Sequence, residues 1–241
     1  MTRAALLATA LAVAAPLPLA AQGLSEDDVK RLALEAIREN PEIVMEAVEA
    51  LQRAEAEAQA EAAQAALAGS REALERDPNA PVLGNPEGDV TLVEFFDYNC
   101  PYCRRAAEGV EALIAEDPEL RVVMREWPIL GEESVAAARA SLAAGMQGGY
   151  EPFHFALMAA EGRVDDAAIE AAAEAAGLDL ERLRADMEAP EVQAHIDASM
   201  ALAEALGISG TPAFVVGEAV VPGAVPPEEL ARLVAEARAA E

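Results

Sequence analysis

Phe95-Phe96-Asp97-Tyr98-Asn99-Cys100-Pro101-Tyr102-Cys103-Arg104-Arg105 holds both cysteines of the 241-residue chain, two residues apart. Val90-Thr91-Leu92-Val93-Glu94-Phe95-Phe96, rich in β-branched and aromatic residues and bounded by Gly88-Asp89, reads as a buried strand. After the cysteines, Ala107, Val110, Leu113 and Ile114 recur at helical spacing between Arg104 and Glu116. A C-x-x-C between strand and helix is the pattern of a redox pair.

The chemistry follows from that position. A helix beginning at Pro101, where a missing N–H costs nothing, leaves Cys100 facing unpaired amides and the positive end of the helix dipole. Its thiolate is then favoured, with a pKa below the free value of about 8.5. Cys103, one turn on and shielded, is the resolving thiol. Such a pair has three other uses. A structural disulfide here closes a tiny ring and constrains little chain entropy. Zinc wants four ligands, and His154 and His195 are far away in sequence. Two-coordinate Cu(I), which thiolates select, stays open as the alternative function: a copper-binding or copper-tolerance protein.

Working outward, Leu120 to Trp127 reads as a second strand ended by Pro128, so strand, helix and strand form a parallel βαβ unit. Val82-Leu83 is a short first strand. Between Gly131 and Gly207 come helices at Glu133–Met146, Pro152–Ala160, Asp165–Ala176, Leu180–Glu188 and Pro190–Leu206. This is a helical insertion over about 131–207. The stretch Gly207 to Gly217, a turn at Gly217-Glu218, a second short strand at Ala219 to Val221 and a final helix from Pro226-Pro227 complete an α/β domain over 77–241. His154 is expected in the core or at a helix cap, His195 on a helix surface, and Trp127 and the methionines in packing. Arg104 and Arg105 are expected as solvated helix residues.

Toward the N-terminus, Asp77-Pro78-Asn79-Ala80-Pro81 marks a domain boundary. Residues 22–76 read as a helical arm: Ser25-Glu26-Asp27-Asp28 is a helix start, and Asn40-Pro41-Glu42 a stop and restart with Asn40 as the N-cap. Val29, Leu32, Ile37, Val44, Val48 and Leu51 make an apolar face that needs a partner, so a homo-oligomer through the arm is expected. From Arg53 to Ala68 the chain is nearly all Ala, Glu and Gln, a helical composition with a thin apolar face. Residues 1–21, with Arg3, an apolar run from Ala4 to Ala15 and Ala20-Ala21, read as a secretory signal peptide, which places the protein in a periplasm. Seventeen basic against 44 acidic residues, a net charge of −27, exclude nucleic acid and anionic lipid as partners.

Phe95 to Cys103, Trp127-Pro128-Ile129-Leu130-Gly131 with Ser134, Phe153-His154 and Gly210-Thr211-Pro212-Ala213-Phe214, in this order, resemble the DsbA-like family of exported thioredoxin-fold disulfide oxidoreductases. The arm is similar to the N-terminal region of the copper-sensitivity suppressor (ScsC) proteins. The resemblance implies a thioredoxin fold with an inserted helical subdomain, preceded by the arm. It implies no cofactor, cysteine-containing protein substrates, and a membrane redox partner that reoxidises or reduces the pair. It makes Pro212 a cis-proline facing the disulfide, with the Thr211 backbone pairing an extended substrate segment. Glu94 takes the place of a buried acid beneath Cys103, able to relay its proton. Pro101 and Tyr102 stand where the strongest oxidases carry Pro-His, and Thr211 stands where they carry Val. Both departures point to a milder oxidant with isomerase or reductase character.

Overall fold

A computed structural model describes residues 25–240. The expected signal peptide, residues 1–21, lies outside the described residues. The chain divides into two compact units, one ending at Ala54 and the other beginning at Glu55.

The N-terminal unit holds α1 (Glu26–Glu39) and the start of α2 (Glu42–Glu75). Ser25 opens α1 with a capping box: its Oγ accepts from the Asp28 amide, and the Asp28 carboxylate accepts from the Ser25 amide. Asn40 closes α1 rather than opening the next helix, because its amide and its side-chain Nδ2 both donate to the Ala36 carbonyl. No residue of α1 is buried, and Val29, Leu32, Ile37, Val44, Val48 and Leu51 are all exposed.

The larger unit begins inside α2, not at the Asp77 boundary expected from sequence. Leu67 and Leu74, seven residues apart and so on one helix face, are both buried in it. Two leucines are enough to seat a helix whose composition is otherwise Ala, Glu and Gln. They cover a five-stranded sheet of order β1-β3-β2-β4-β5. The strands are β1 (Val82–Gly84), β2 (Val90–Phe96), β3 (Leu120–Glu126), β4 (Ala213–Val216) and β5 (Ala219–Pro222). β2 and β3 are parallel, joined through α3 (Pro101–Glu116); all other pairs are antiparallel. Gly84 turns the chain after β1 at φ +71°, where a Cβ would sit 2.6 Å from the Leu120 carbonyl.

Between β3 and β4 the chain makes α4 (Glu132–Met146), α5 (Tyr150–Met158), α6 (Asp166–Ala175), α7 (Leu180–Asp186) and α8 (Pro190–Ala205); α9 (Pro227–Ala240) ends it. These helices cover both faces of the sheet, which explains why β2 is buried on both sides and carries apolar residues at all positions but Thr91 and Glu94, rather than alternating. On one face Leu92, Phe96, Val122 and Met124 join Val110 of α3, Phe153 of α5 and Leu230 of α9. On the other, Val93, Phe95, Val123 and Trp127 join Leu67 and Leu74 of α2 and Leu202 of α8. Each such side chain, fully buried, contributes about 1.5–3 kcal/mol.

The second face also buries charge. Arg125 is fully buried, and its Nη1 lies 2.7 Å from Asp77 Oδ2. Burial tends to raise the Asp77 carboxyl, but the Asn79 amide and the Arg125 guanidinium outweigh it and hold it below the ordinary carboxylate range. His195, expected on a helix surface, is fully buried instead. Its Nε2 accepts from the Glu126 amide at 3.1 Å, and burial followed by the Arg125 charge pushes its pKa down to about 3. The face of α8 that meets β3 decides this, and a single His among alanines carries no sign of it.

Candidate active site

Cys100 is the N-cap of α3, in extended conformation, with Pro101 at the first helical position. Its amide donates to the Asp97 carbonyl, and its carbonyl accepts from the Arg104 amide. The thiol donates to the Thr211 carbonyl at 3.3 Å. Thr211 precedes Pro212 through a cis peptide bond, at the entry to β4. A residue at position 100 and one at 211 are therefore neighbours, because β4 lies antiparallel beside β2 with Phe95 opposite Ala213.

The two sulfurs differ. Cys100 retains 4% of its surface and Cys103 none. The Cys103 thiol, above all, together with the Thr211 side chain and the Cys103 and Tyr102 amides, favours the Cys100 thiolate and brings its pKa to about 5 despite partial burial. Cys103 moves the other way: burial first, then its bond to Cys100 and the nearby Glu94 charge, push it far above the ordinary thiol range. Glu94 is buried, its Oε1 has no hydrogen-bond partner, and burial followed by the Cys100 charge raises it to about 8. So Cys100, Cys103, Glu94, Thr211 and Pro212, spread over 119 positions of sequence, meet at one place. Pro101 and Tyr102 form the exposed rim beside them, and the Arg105 guanidinium stacks 4.6 Å from the centre of the Tyr102 ring.

Several contributors escaped the sequence reading. Arg104, expected to be solvated, is half-buried. Its guanidinium donates to the carbonyls of Tyr98, Ala160 and Gly162, tying the first turn of α3 to the loop after α5. Buried Asp97 takes four donors: the amides of Asn99, Ile129 and Leu130 and the Ser134 hydroxyl. Glu126, fully buried, accepts from the Tyr98 and Tyr150 hydroxyls, both at 3.0 Å. The available signal was a charged pair, Arg125-Glu126, inside a strand with both faces covered. His154 is a core residue, its Nδ1 3.0 Å from the Tyr98 hydroxyl. Trp127 packs edge-on against Phe95 at 6.2 Å. Among the described residues, no group of three or more His, Cys, Asp or Glu is placed to hold a metal ion, and no helix is long and apolar enough to cross a membrane.

Residues 91–235 match the model of the DSBA-like thioredoxin domain. The chain belongs to this family of thioredoxin-fold disulfide oxidoreductases. A thioredoxin-like oxidoreductase from Silicibacter pomeroyi is 60% identical, with a TM-score of 0.69 over 71% of this chain and 99% of that one. ScsC of Proteus mirabilis is 31% identical, with a TM-score of 0.68 over 92% of this chain and 99% of that one. A Na(+)/H(+) antiporter NhaA 1 of Salinispora arenicola is 35% identical over 137 residues, 56% of this chain. The chain spans about a fifth of the length of that curated relative, 21%.

Proposed function

We propose that the protein is a periplasmic thiol–disulfide oxidoreductase that oxidises or isomerises protein cysteines through Cys100 and Cys103. One observation carries the reading: Cys100 is the N-cap of α3, its thiol 3.3 Å from the Thr211 carbonyl and one turn from the fully buried Cys103.

In the reducing direction, the Cys100 thiolate attacks one sulfur of a client disulfide, and the other client sulfur leaves as a thiolate. Cys103 then gives its proton to the Glu94 carboxylate and attacks the Cys100 sulfur. The client is released with two electrons gained, and Cys100–Cys103 becomes the disulfide. In the oxidising direction a client thiolate attacks Cys100, Cys103 leaves, and protonated Glu94 returns the proton to it; a second client thiolate then attacks the client sulfur of the mixed disulfide, and Cys100 leaves as the thiolate. A Glu94 pKa of about 8 leaves the acid mostly protonated at neutral pH, ready for this second direction. Thr211 offers its backbone to an extended client segment.

Insulin reduction by the purified protein tests the reading. Cys100→Ala is expected to abolish it, and a variant with full activity overturns the assignment. A membrane redox partner would reset the pair, and residues 1–21 would direct export. The exposed apolar residues of the arm support a homo-oligomer built through it. Sedimentation of the mature protein is expected to show a mass of two or more chains that falls to one when residues 22–54 are removed; a monomer in both cases refutes it.

A further inference from the structure

Glu94 is not the one acid under α3. In the parallel register Glu94 lies opposite Met124, and Phe96 lies opposite Glu126. Residues two apart on a strand share a face, so Glu94 and Glu126 are diagonal neighbours on the face that α3 covers. The disulfide-exchange scheme leaves Glu126 without a task.

Its surroundings are built around one oxygen. Tyr98 from the β2–α3 loop and Tyr150 from α5 both donate to Glu126 Oε1. The Tyr98 hydroxyl also meets Ser141 of α4 at 2.5 Å and His154 Nδ1 of α5 at 3.0 Å. A hydroxyl with one proton given to Glu126 must accept from both, so Ser141 donates and His154 carries its proton on Nδ1. Glu126 Oε2 has no partner, and both Oε atoms are far from solvent. The remaining titratable neighbours add no positive charge: Asp97 is acidic, and His195, from α8, meets the Glu126 amide rather than its carboxyl. The adjacent Arg125 is engaged with Asp77 on the opposite face.

Tyr98 is held at both ends. Glu126 holds its hydroxyl, and Arg104 of the first turn of α3 holds its carbonyl at 2.9 Å. Two residues later comes Cys100, whose amide donates to the carbonyl of Asp97, the residue before Tyr98. We propose that Glu126, in its protonated form, is a positioning residue of the redox pair: it acts through Tyr98 to set Cys100 at the N-terminus of α3, against the Thr211 carbonyl. A carboxylate with no cation beside it would be costly at this depth, while the neutral acid keeps both tyrosine bonds. Burial accordingly raises Glu126 to about 8, even though the Tyr150, Tyr98 and Ser141 hydroxyls pull it down. The inference rests on Cys100 and Cys103 acting as a thiol–disulfide pair.

The test is the Cys100 thiolate titration followed by absorbance near 240 nm in the reduced full chain, with thermal unfolding measured alongside. Glu126→Gln, a stand-in for the neutral acid, is expected to keep the wild-type midpoint. Tyr98→Phe and Glu126→Ala are expected to raise it by about one unit, a tenfold loss of thiolate preference. Lowered melting with an unmoved midpoint in Tyr98→Phe would reduce Glu126 to a structural role and overturn the proposal. A Gln variant displaced as far as the Ala variant would overturn the protonated form. Tyr98→Phe retains the ring packing, so the question is answered even where Glu126→Ala fails to fold. No client enters the measurement, so its failure is distinct from a failure to exchange disulfides with insulin.

Discussion

The two faces of the sheet bury charge on opposite terms. On the face covered by α2 and α8, Arg125 is buried with an acid to meet it, Asp77, and both stay ionised. On the face covered by α3, Glu94 and Glu126 are buried with no cation, and both are pushed toward the neutral form, to about 8. A buried ion with a partner is a structural tie; a buried acid without one becomes a store for a proton. The redox sulfurs sit over the second kind of face, and disulfide exchange needs a proton to come and go.

The sharpest way to break this contrast is to remove the partner on the structural side. Asp77→Asn leaves the Arg125 guanidinium buried and uncompensated, and is expected to destabilise by about 3–5 kcal/mol. Chemical denaturation measures it, and the Cys100 thiolate midpoint should not move. The corresponding change on the other face works in reverse. Glu94→Gln removes no ion pair and is expected to leave folding at pH 7 unharmed or improved. It should slow the Cys103 step by about 10²-fold, seen in quenched samples as accumulated mixed disulfide. A Gln variant that resolves at the wild-type rate would place the proton transfer elsewhere.

A smaller effect comes from pH. Cys100 titrates at about 5 in the fold and about 8.5 in an unfolded chain, so its thiolate stabilises the reduced protein above 8.5, and this is lost as pH falls through 5. The share present at pH 7 is about 2–3 kcal/mol. Glu94 and Glu126 run the other way: their neutral forms favour the fold fully below the ordinary carboxyl value of 4.5, and that advantage fades as pH rises toward 8. Burial, the larger cause of both shifts, acts in both redox states; the Cys100 charge adds to the Glu94 shift only in the reduced one. The difference in unfolding free energy between reduced and oxidised protein, followed from pH 4 to 8.5, should therefore be dominated by Cys100 and rise with pH. A flat difference would mean that the thiolate is not favoured.

Much of this was legible in the residues. The β2–α3 junction is local: β-branched and aromatic residues, a cysteine before a proline and a helical repeat specify strand, N-cap and helix with no help from the rest of the chain. The parallel pairing of β2 and β3 follows from the length of the crossover between them, while the place of Glu94 under Cys103 came from the resemblance to the DsbA-like family. What the tertiary structure decided was which buried polar group meets which partner. Asp77 reaches Arg125 across 48 positions, and Tyr98 reaches Glu126, Ser141 and His154 across 28, 43 and 56. Arg104 and His195 read as surface residues until the inserted helices closed over them. Helical and strand periodicity record which side of an element is apolar. They do not record what will stand opposite a charge once it is out of water, and that neighbour decides whether the charge survives as an ion or holds a proton.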